Sequence, residues 1–307
     1  MPSSRVKLWL ELSKSGIVTL VVLSVLGGFL SGQALDEPFR FREGFLVLAG
    51  LLLLSSGSSA LNQIQEAHID AEMPRTSGRP IPSGRLPKLH AIRFAVLAIA
   101  SGLATLAFVS PTFDLTLFFM GLAALISYNG LYTLWWKRTT PWAAIPGAIP
   151  GAIPAWMGYI AARPIPHSTR LSEPAGLYLF ALLFFWQMPH FWSLALKYRD
   201  DYARGGFPTL PVARGDHRTR VESAIWCLGY VLIGFSAPLF LSLGPVYWFP
   251  SAVLSAWTLL SLRAFLSAHD PKAWIRFFLR INLSLIGYLA FAAIDHWHVY
   301  LVPFFTR

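Results

Sequence analysis

A chain of 307 residues that is 55% hydrophobic and only 13% charged carries about half the charge of an ordinary soluble domain, where roughly a quarter of residues are Asp, Glu, Lys or Arg. That balance excludes a water-soluble globular domain. The lone cysteine, Cys227, excludes an internal disulfide framework and a cysteine-ligated structural metal, and reads as a small core residue.

Nine apolar runs follow one another, near 14–33, 44–66, 90–110, 113–134, 142–162, 174–197, 220–242, 246–267 and 274–296. Each approaches the 20 or so residues that a helix needs to cross a hydrocarbon core. Lipid offers no partner to an unpaired backbone group, so helix is the conformation expected. The runs are apolar all round, unlike the short alternating segments of a barrel. The expected fold is all-α: a polytopic membrane protein of about nine transmembrane helices enclosing a central cavity, a single membrane domain over 1–307. The first run is long and lacks a small-residue cleavage site, so it reads as a span and not as a signal peptide.

The second run ends in Asn62-xxx-Glu66-xxx-Asp70. Spacing of four puts all three side chains on one helical face. Two carboxylates and an amide oxygen stacked this way make a hard oxygen site suited to Mg²⁺, which takes one or two carboxylates together with substrate phosphates. Taken alone, the pattern is equally that of a solvated helix end. Directly downstream, the loop Met73-Pro74-Arg75-Thr76-Ser77-Gly78-Arg79-Pro80 carries Arg75 and Arg79, planar donors matched to phosphate oxygens. Metal-holding carboxylates beside phosphate-gripping arginines describe a diphosphate site.

The fourth run ends in Tyr132-xxxx-Lys137-Arg138. The fifth contains a local repeat, three prolines at spacing four (Pro146, Pro150, Pro154) with glycines between them. It reads either as a tightly packed, kinked helix or as a bend that widens a cavity. The sixth leads through Met188-Pro189-His190-Phe191-Trp192 to Lys197-Tyr198-Arg199-Asp200-Asp201-Tyr202 and Gly205-Gly206-Phe207-Pro208-Thr209-Leu210-Pro211-Val212. On a continuous helix Lys197 and Asp201 would share a face. Four runs separate this stretch from the first acidic cluster, so both emerge on the same membrane face. His68 and His217 read as solvated loop residues. His296 and His298 lie at the far end of the last run beside interfacial Trp297 and Tyr300.

Of the 25 Lys and Arg residues, 20 fall on the N-terminal tail and on the loops after even-numbered runs, and only Arg40, Arg42, Arg163, Arg170 and Arg307 fall on the other side. This is the positive-inside pattern. It places the N-terminus in the cytoplasm of a cell whose inner membrane the chain spans, with the site near the cytoplasmic face. The net charge of +10 is then topological, and no nucleic-acid partner is expected.

These stretches together resemble the UbiA-type membrane prenyltransferases, most of all those that farnesylate protohaem. The resemblance covers nearly the whole chain. It includes Glu11-Leu12-Ser13-Lys14, Asn62-xxx-Glu66-xxx-Asp70, Met73-x-Arg75-Thr76-x-x-Arg79-Pro80, Tyr132-Thr133 with Lys137-Arg138, Pro189-His190-Phe191-Trp192, and Asp201-Tyr202 through Leu210-Pro211-Val212.

It implies farnesyl diphosphate as donor, haem B as acceptor, the lipid bilayer as setting, and a haem A synthase or oxidase-assembly factor as candidate partner. Asn62, Glu66, Asp70 and Asp201 are the expected metal set. Arg75, Arg79, Lys137, Arg138 and Lys197 are expected on the substrates, Tyr132 and Tyr198 beside an allylic cation, and His190 at the haem. Departures are Glu66 where Asp is usual and Ala67-His68 where Arg-Asp is common. Two alternatives stay open from the residues alone: a related prenyltransferase acting on a quinone precursor or chlorophyllide, and an ion-coupled transporter using Glu66 and Asp70.

Overall fold

The computed structural model describes residues 5–164, 166–267 and 272–305, with side chains to 298; the side chains of Tyr300 and Arg307 lie outside the described residues. No strand occurs among the described residues. Besides a 3₁₀ turn at His167–Arg170, twelve helices do: α1 (Arg5–Leu12), α2 (Ser15–Gly32), α3 (Phe41–Glu72), α4 (Lys88–Ala107), α5 (Thr116–Thr139), α6 (Ala144–Ala162), α7 (Pro174–Lys197), α8 (Arg199–Arg204), α9 (Leu210–Phe235), α10 (Pro238–Leu241), α11 (Pro245–Ser267) and α12 (Ala273–Phe305).

Among the described residues, eight spans are long and apolar enough to cross a membrane: α2, α3, α4, α5, α7, α9 with α10, α11 and α12. The fifth run forms α6, 19 residues long but diluted by the Pro-Gly repeat. Phe45, Leu97, Leu232 and Phe249 stand exposed around the bundle. Such a girdle would be an aggregation surface in water and is a lipid-facing surface in a bilayer. The chain is a multi-pass membrane protein.

α6 is the most enclosed of the long helices. Its partner α2 approaches backbone to backbone: a Cβ on Gly28 would lie 2.0 Å from the Ala155 carbonyl oxygen, and one on Gly158 would lie 2.2 Å from that of Val25. Small residues allow such contact where lipid gives no hydrophobic drive to association. Phe29, Ile160, Leu182, Tyr230, Phe277 and Tyr288 fill the core that α2, α6, α7, α9 and α12 share.

Cross-links sort the connections into two ends. At the basic end, Arg85 pairs with Glu11 (2.7 Å), the Arg75 N–H donates to Asp201 (3.2 Å), and Arg220 donates to the Phe265 carbonyl. At the opposite end, Arg42 donates to the Phe108 and Val109 carbonyls, and the Gly244 N–H donates to Asp295 (2.6 Å). The alternation expected from charge is therefore built into the packing.

Two local features depart from the sequence pattern. α3 continues six residues past the apolar run, to Glu72, because its last polar side chains find partners inside the bundle. Within α5, residues Ile126–Trp136 adopt the wider π-helical winding. α3 side chains brace that segment: Gln65 donates to the Asn129 carbonyl (3.1 Å), and Ser58 exchanges hydrogen bonds with the Asn129 amide.

Candidate active site

A cavity of about 510 Å³ opens at the basic end among α2, α3, α5, α6, α7 and α12. The acidic motif lies along it. Asn62, Glu66 and Asp70 are buried on one face of α3, while His68 is 92% exposed and reaches only Glu72 (3.8 Å). Spacing of four thus holds through the helix end, and the replacement at 67–68 leaves the inward face intact.

Each acid meets a cation from a different part of the chain. Lys137 Nζ lies 2.6 Å from Glu66 Oε1, and Arg79 Nη1 lies 2.6 Å from Asp70 Oδ2. Lys14 Nζ donates to Asn62 Oδ1 at 2.5 Å, and the Asn62 amide donates to Thr133 Oγ1 (3.1 Å). Asp70 Oδ1 is buried and has no partner. Four basic groups (Lys14, Arg75, Arg79, Lys137) therefore line the cavity against two carboxylates. Buried ion pairs of this kind are costly to desolvate, and an excess of cations around an unsatisfied carboxylate oxygen is suited to an anion arriving with a hard metal ion. The oxygen donors present, Asn62, Glu66 and Asp70, fit such an ion.

The π segment has a geometric consequence. Tyr132 and Lys137 are five residues apart, which on an α-helix would turn them to different faces; i→i+5 winding brings such residues into line. Tyr128, Tyr132 and Lys137 all enter the cavity, and the two tyrosine rings stack at 5.8 Å. Opposite them, the Pro-Gly helix supplies the wall through Gly147, Pro150, Gly151 and Pro154. A Cβ on Gly147 would fall 2.6 Å from the Tyr132 ring, and one on Gly151 would fall 2.4 Å from the Gln187 oxygen. The helix is thus tightly packed and also lines the cavity.

Of the expected residues, Asn62, Glu66, Asp70, Arg75, Arg79, Tyr132, Lys137 and His190 line the cavity. Asp201 and Tyr198 stand behind the Met73–Arg79 loop: Asp201 accepts the Arg75 N–H (3.2 Å), and the Arg75 guanidinium rests 4.8 Å over the Tyr198 ring. Both acidic stretches thus converge on one loop.

Arg138 is exposed and outside the cavity. Lys197 is also outside it, with its Nζ 5.3 Å over the Trp274 ring, in a separate small pocket. The spacing argument fails there because the chain turns at Tyr198 (φ −110°, ψ 30°) between α7 and α8. Lys197 and Asp201 share no helix face.

The structure adds Lys14, Tyr128, Gln187, Tyr202 and Asn282 to the cavity lining. Lys14 is the most informative. It sits in the left-handed region (φ 52°, ψ 54°) between α1 and α2, a conformation that costs a non-glycine residue about 1–2 kcal/mol. Gln63 holds the approach by donating to the Glu11 and Leu12 carbonyls, both at 2.8 Å. Its signals in the sequence were its place at the edge of an apolar run and within the Glu11-Leu12-Ser13-Lys14 stretch of the family resemblance.

This architecture, an all-helical membrane bundle whose cavity gathers acids, arginines and lysines at one end, is that of an intramembrane prenyl-transfer fold. The chain belongs to the UbiA prenyltransferase family, whose profile matches residues 20–286. Its similar curated relatives are protoheme IX farnesyltransferases: that of Bdellovibrio bacteriovorus is 38% identical over 95% of this chain and 97% of its own length, and that of Aquifex aeolicus 36% identical over 92% and 93%. Among solved structures, a digeranylgeranylglyceryl phosphate synthase superposes with a TM-score of 0.72 at 15% identity, covering 96% of this chain and 99% of the other. A UbiA homologue from Archaeoglobus fulgidus bound to GPP and Mg²⁺ gives 0.63 at 17% identity, covering 93% and 99%.

Proposed function

We propose that this chain transfers the farnesyl group of farnesyl diphosphate to a vinyl group of protohaem IX, giving haem O. The single observation that carries the chemistry is the cluster at the cavity head, where four cations face two carboxylates and Asp70 Oδ1 is left without a partner. The acceptor comes from the relatives' names.

The residues divide the work by position. Asn62, Glu66 and Asp70 would hold Mg²⁺, with Asp201 keeping the Arg75 loop in place behind them. A Mg²⁺ ion held there would stabilise charge building on the leaving diphosphate. Lys14, Arg75, Arg79 and Lys137 grip the diphosphate oxygens and neutralise the same charge from fixed positions, where preorganised donors act most strongly. Lys14 and Lys137, each resting against an α3 oxygen, are within reach of an incoming phosphate by side-chain rotation alone. The faces of Tyr128 and Tyr132 line the space just below, and ring faces attract a cation. Apolar walls from Ile17, Leu20, Leu51 and Leu54 accept the prenyl chain and keep water from the cation. The basic end lies at the cytoplasmic face by the positive-inside rule, and the chain acts as one membrane domain.

The test is direct. Membranes carrying the protein, given farnesyl diphosphate and haem B, yield a haem-O-mass product that depends on added divalent metal; aromatic acids in place of haem yield none. Farnesylation of the aromatic acids without any haem product would assign the chain to another acceptor.

A further inference from the structure

Lys197 is left unused by the diphosphate site, and its surroundings have a character of their own. It and Arg220 line a second pocket of about 240 Å³ at the basic end, between the close of α7 and the start of α12. Lys197 Nζ lies 5.3 Å over the Trp274 ring, and the Arg220 guanidinium lies 4.8 Å over that of Phe265. The one carboxylate among its described lining residues, Asp216, is taken by Arg199 at 3.1 Å. Arg220 gives its Nη1 to the Phe265 carbonyl, so Lys197 and the other guanidinium N–H groups of Arg220 are the donors the pocket offers an outside anion.

A row of rings joins this pocket to the main cavity. Trp274 contacts Phe278 (6.2 Å between centroids), Phe278 contacts His190 (4.9 Å), and His190 contacts Trp186 (4.5 Å). His190 lines the main cavity, and its Nδ1 is buried with no partner. His190 and Lys197 are seven residues apart on α7, hence on one face and about 10 Å apart along the axis. Both face α12. That separation is comparable with the distance from the centre of a porphyrin to the end of a propionate arm.

We infer that the second pocket holds the propionate carboxylates of the porphyrin acceptor, through Lys197 and Arg220, while His190 meets its iron. The macrocycle then lies along α7 and α12 against the ring row, with its carboxylate edge at the rim and its vinyl-bearing edge inward. Charge matches: two cations for two carboxylates. The inference rests on the acceptor being a haem.

The experiment compares haem B with its dimethyl ester, which keeps the ring and iron but carries no free carboxylate. Purified full-length protein in nanodiscs is titrated with each, followed by the Soret band. The wild type should prefer haem B by about tenfold or more, as expected for hydrogen bonds to charged groups. Lys197→Met, and the pair Lys197→Met with Arg220→Gln, should remove the preference while leaving ester affinity unchanged. His190→Ala should alter the Soret band of the bound haem yet keep the preference.

A retained preference in the double variant overturns the inference. So does an equal loss of affinity for acid and ester, which would mark a structural role. Stabilisation of the wild type but not the double variant by anionic lipid in the disc, with the haem preference intact, would assign the pocket to lipid phosphate instead. A wild type that makes no farnesylated haem at all defeats the functional reading itself. Turnover with an unmoved preference defeats only this assignment.

Discussion

The two ends of the bundle both bury acids, and they treat them differently. At the far end three acids, Glu173, Asp295 and Asp114, are saturated. Glu173 receives the Tyr159 hydroxyl and Arg170, each at 2.7 Å, and Asp295 receives the Gly244 and Tyr247 N–H groups. Asp114 receives Thr116 twice and the His167 N–H. At the basic end, Asp70 keeps one oxygen without a partner, and the cations on Glu66 and Asn62 are lysines on rotatable stems. A saturated acid holds a fold together; an unsaturated one with replaceable cations is poised for a ligand.

Substitutions at the two ends should therefore fail in different ways. The largest effect belongs to Asp70→Asn. It should lower farnesyl transfer by about a thousandfold or more, on the scale of losing a metal ligand or an oxyanion donor, with an unchanged elution profile in detergent. Full activity in that variant would break the contrast. Lys14→Met should raise the KM for farnesyl diphosphate by roughly ten- to a hundredfold, the weight of one or two charge-assisted hydrogen bonds, and Lys14→Arg should recover part of it. An unchanged KM would return Lys14 to a packing role.

Asp295→Ala should do the reverse. It strands two buried N–H groups at about 1–3 kcal/mol each, so thermal stability in detergent should drop while transfer per folded molecule stays near that of the wild type. Acid should sharpen the same point. Burial pulls the Asp114 carboxyl up, but hydrogen bonds from the Thr116 side chain and backbone and from the His167 backbone outweigh it, so the group titrates below the ordinary carboxylate value. A depressed folded-state pKa contributes stability that is full above the unfolded value and is lost as pH falls through the folded one. The melting temperature should thus fall below about pH 4, and by less in Asp114→Asn. The smallest effect is His68→Ala, whose exposed ring should leave activity within about twofold.

The same contrast explains what the sequence could and could not tell. Spans and their alternation were legible because lipid enforces helices and charge marks the ends. Asn62, Glu66 and Asp70 were legible because spacing of four is a property of one helix. Whatever depended on leaving that regularity was not. Lys197 and Asp201 carry the same spacing, but the chain breaks at Tyr198. Tyr132 and Lys137 carry spacing that an α-helix would scatter, and the π winding aligns them; no apolar pattern distinguishes the two windings. Lys14 reaches Asn62 across 48 positions through a left-handed residue, a contact that only tertiary packing creates. The motif resemblance to a family supplied the donor and acceptor, while the partner of each acid had to come from the structure.

The central claim is that the α3 carboxylates, a divalent metal and the prenyl diphosphate meet at one place. Electron paramagnetic resonance of Mn²⁺ bound to the protein with a non-hydrolysable farnesyl diphosphate analogue tests it most directly. The account predicts a bound ion in the wild type with hyperfine coupling to phosphorus, and loss of that signal in Asp70→Asn. The same phosphorus-coupled signal persisting in Asp70→Asn would contradict it.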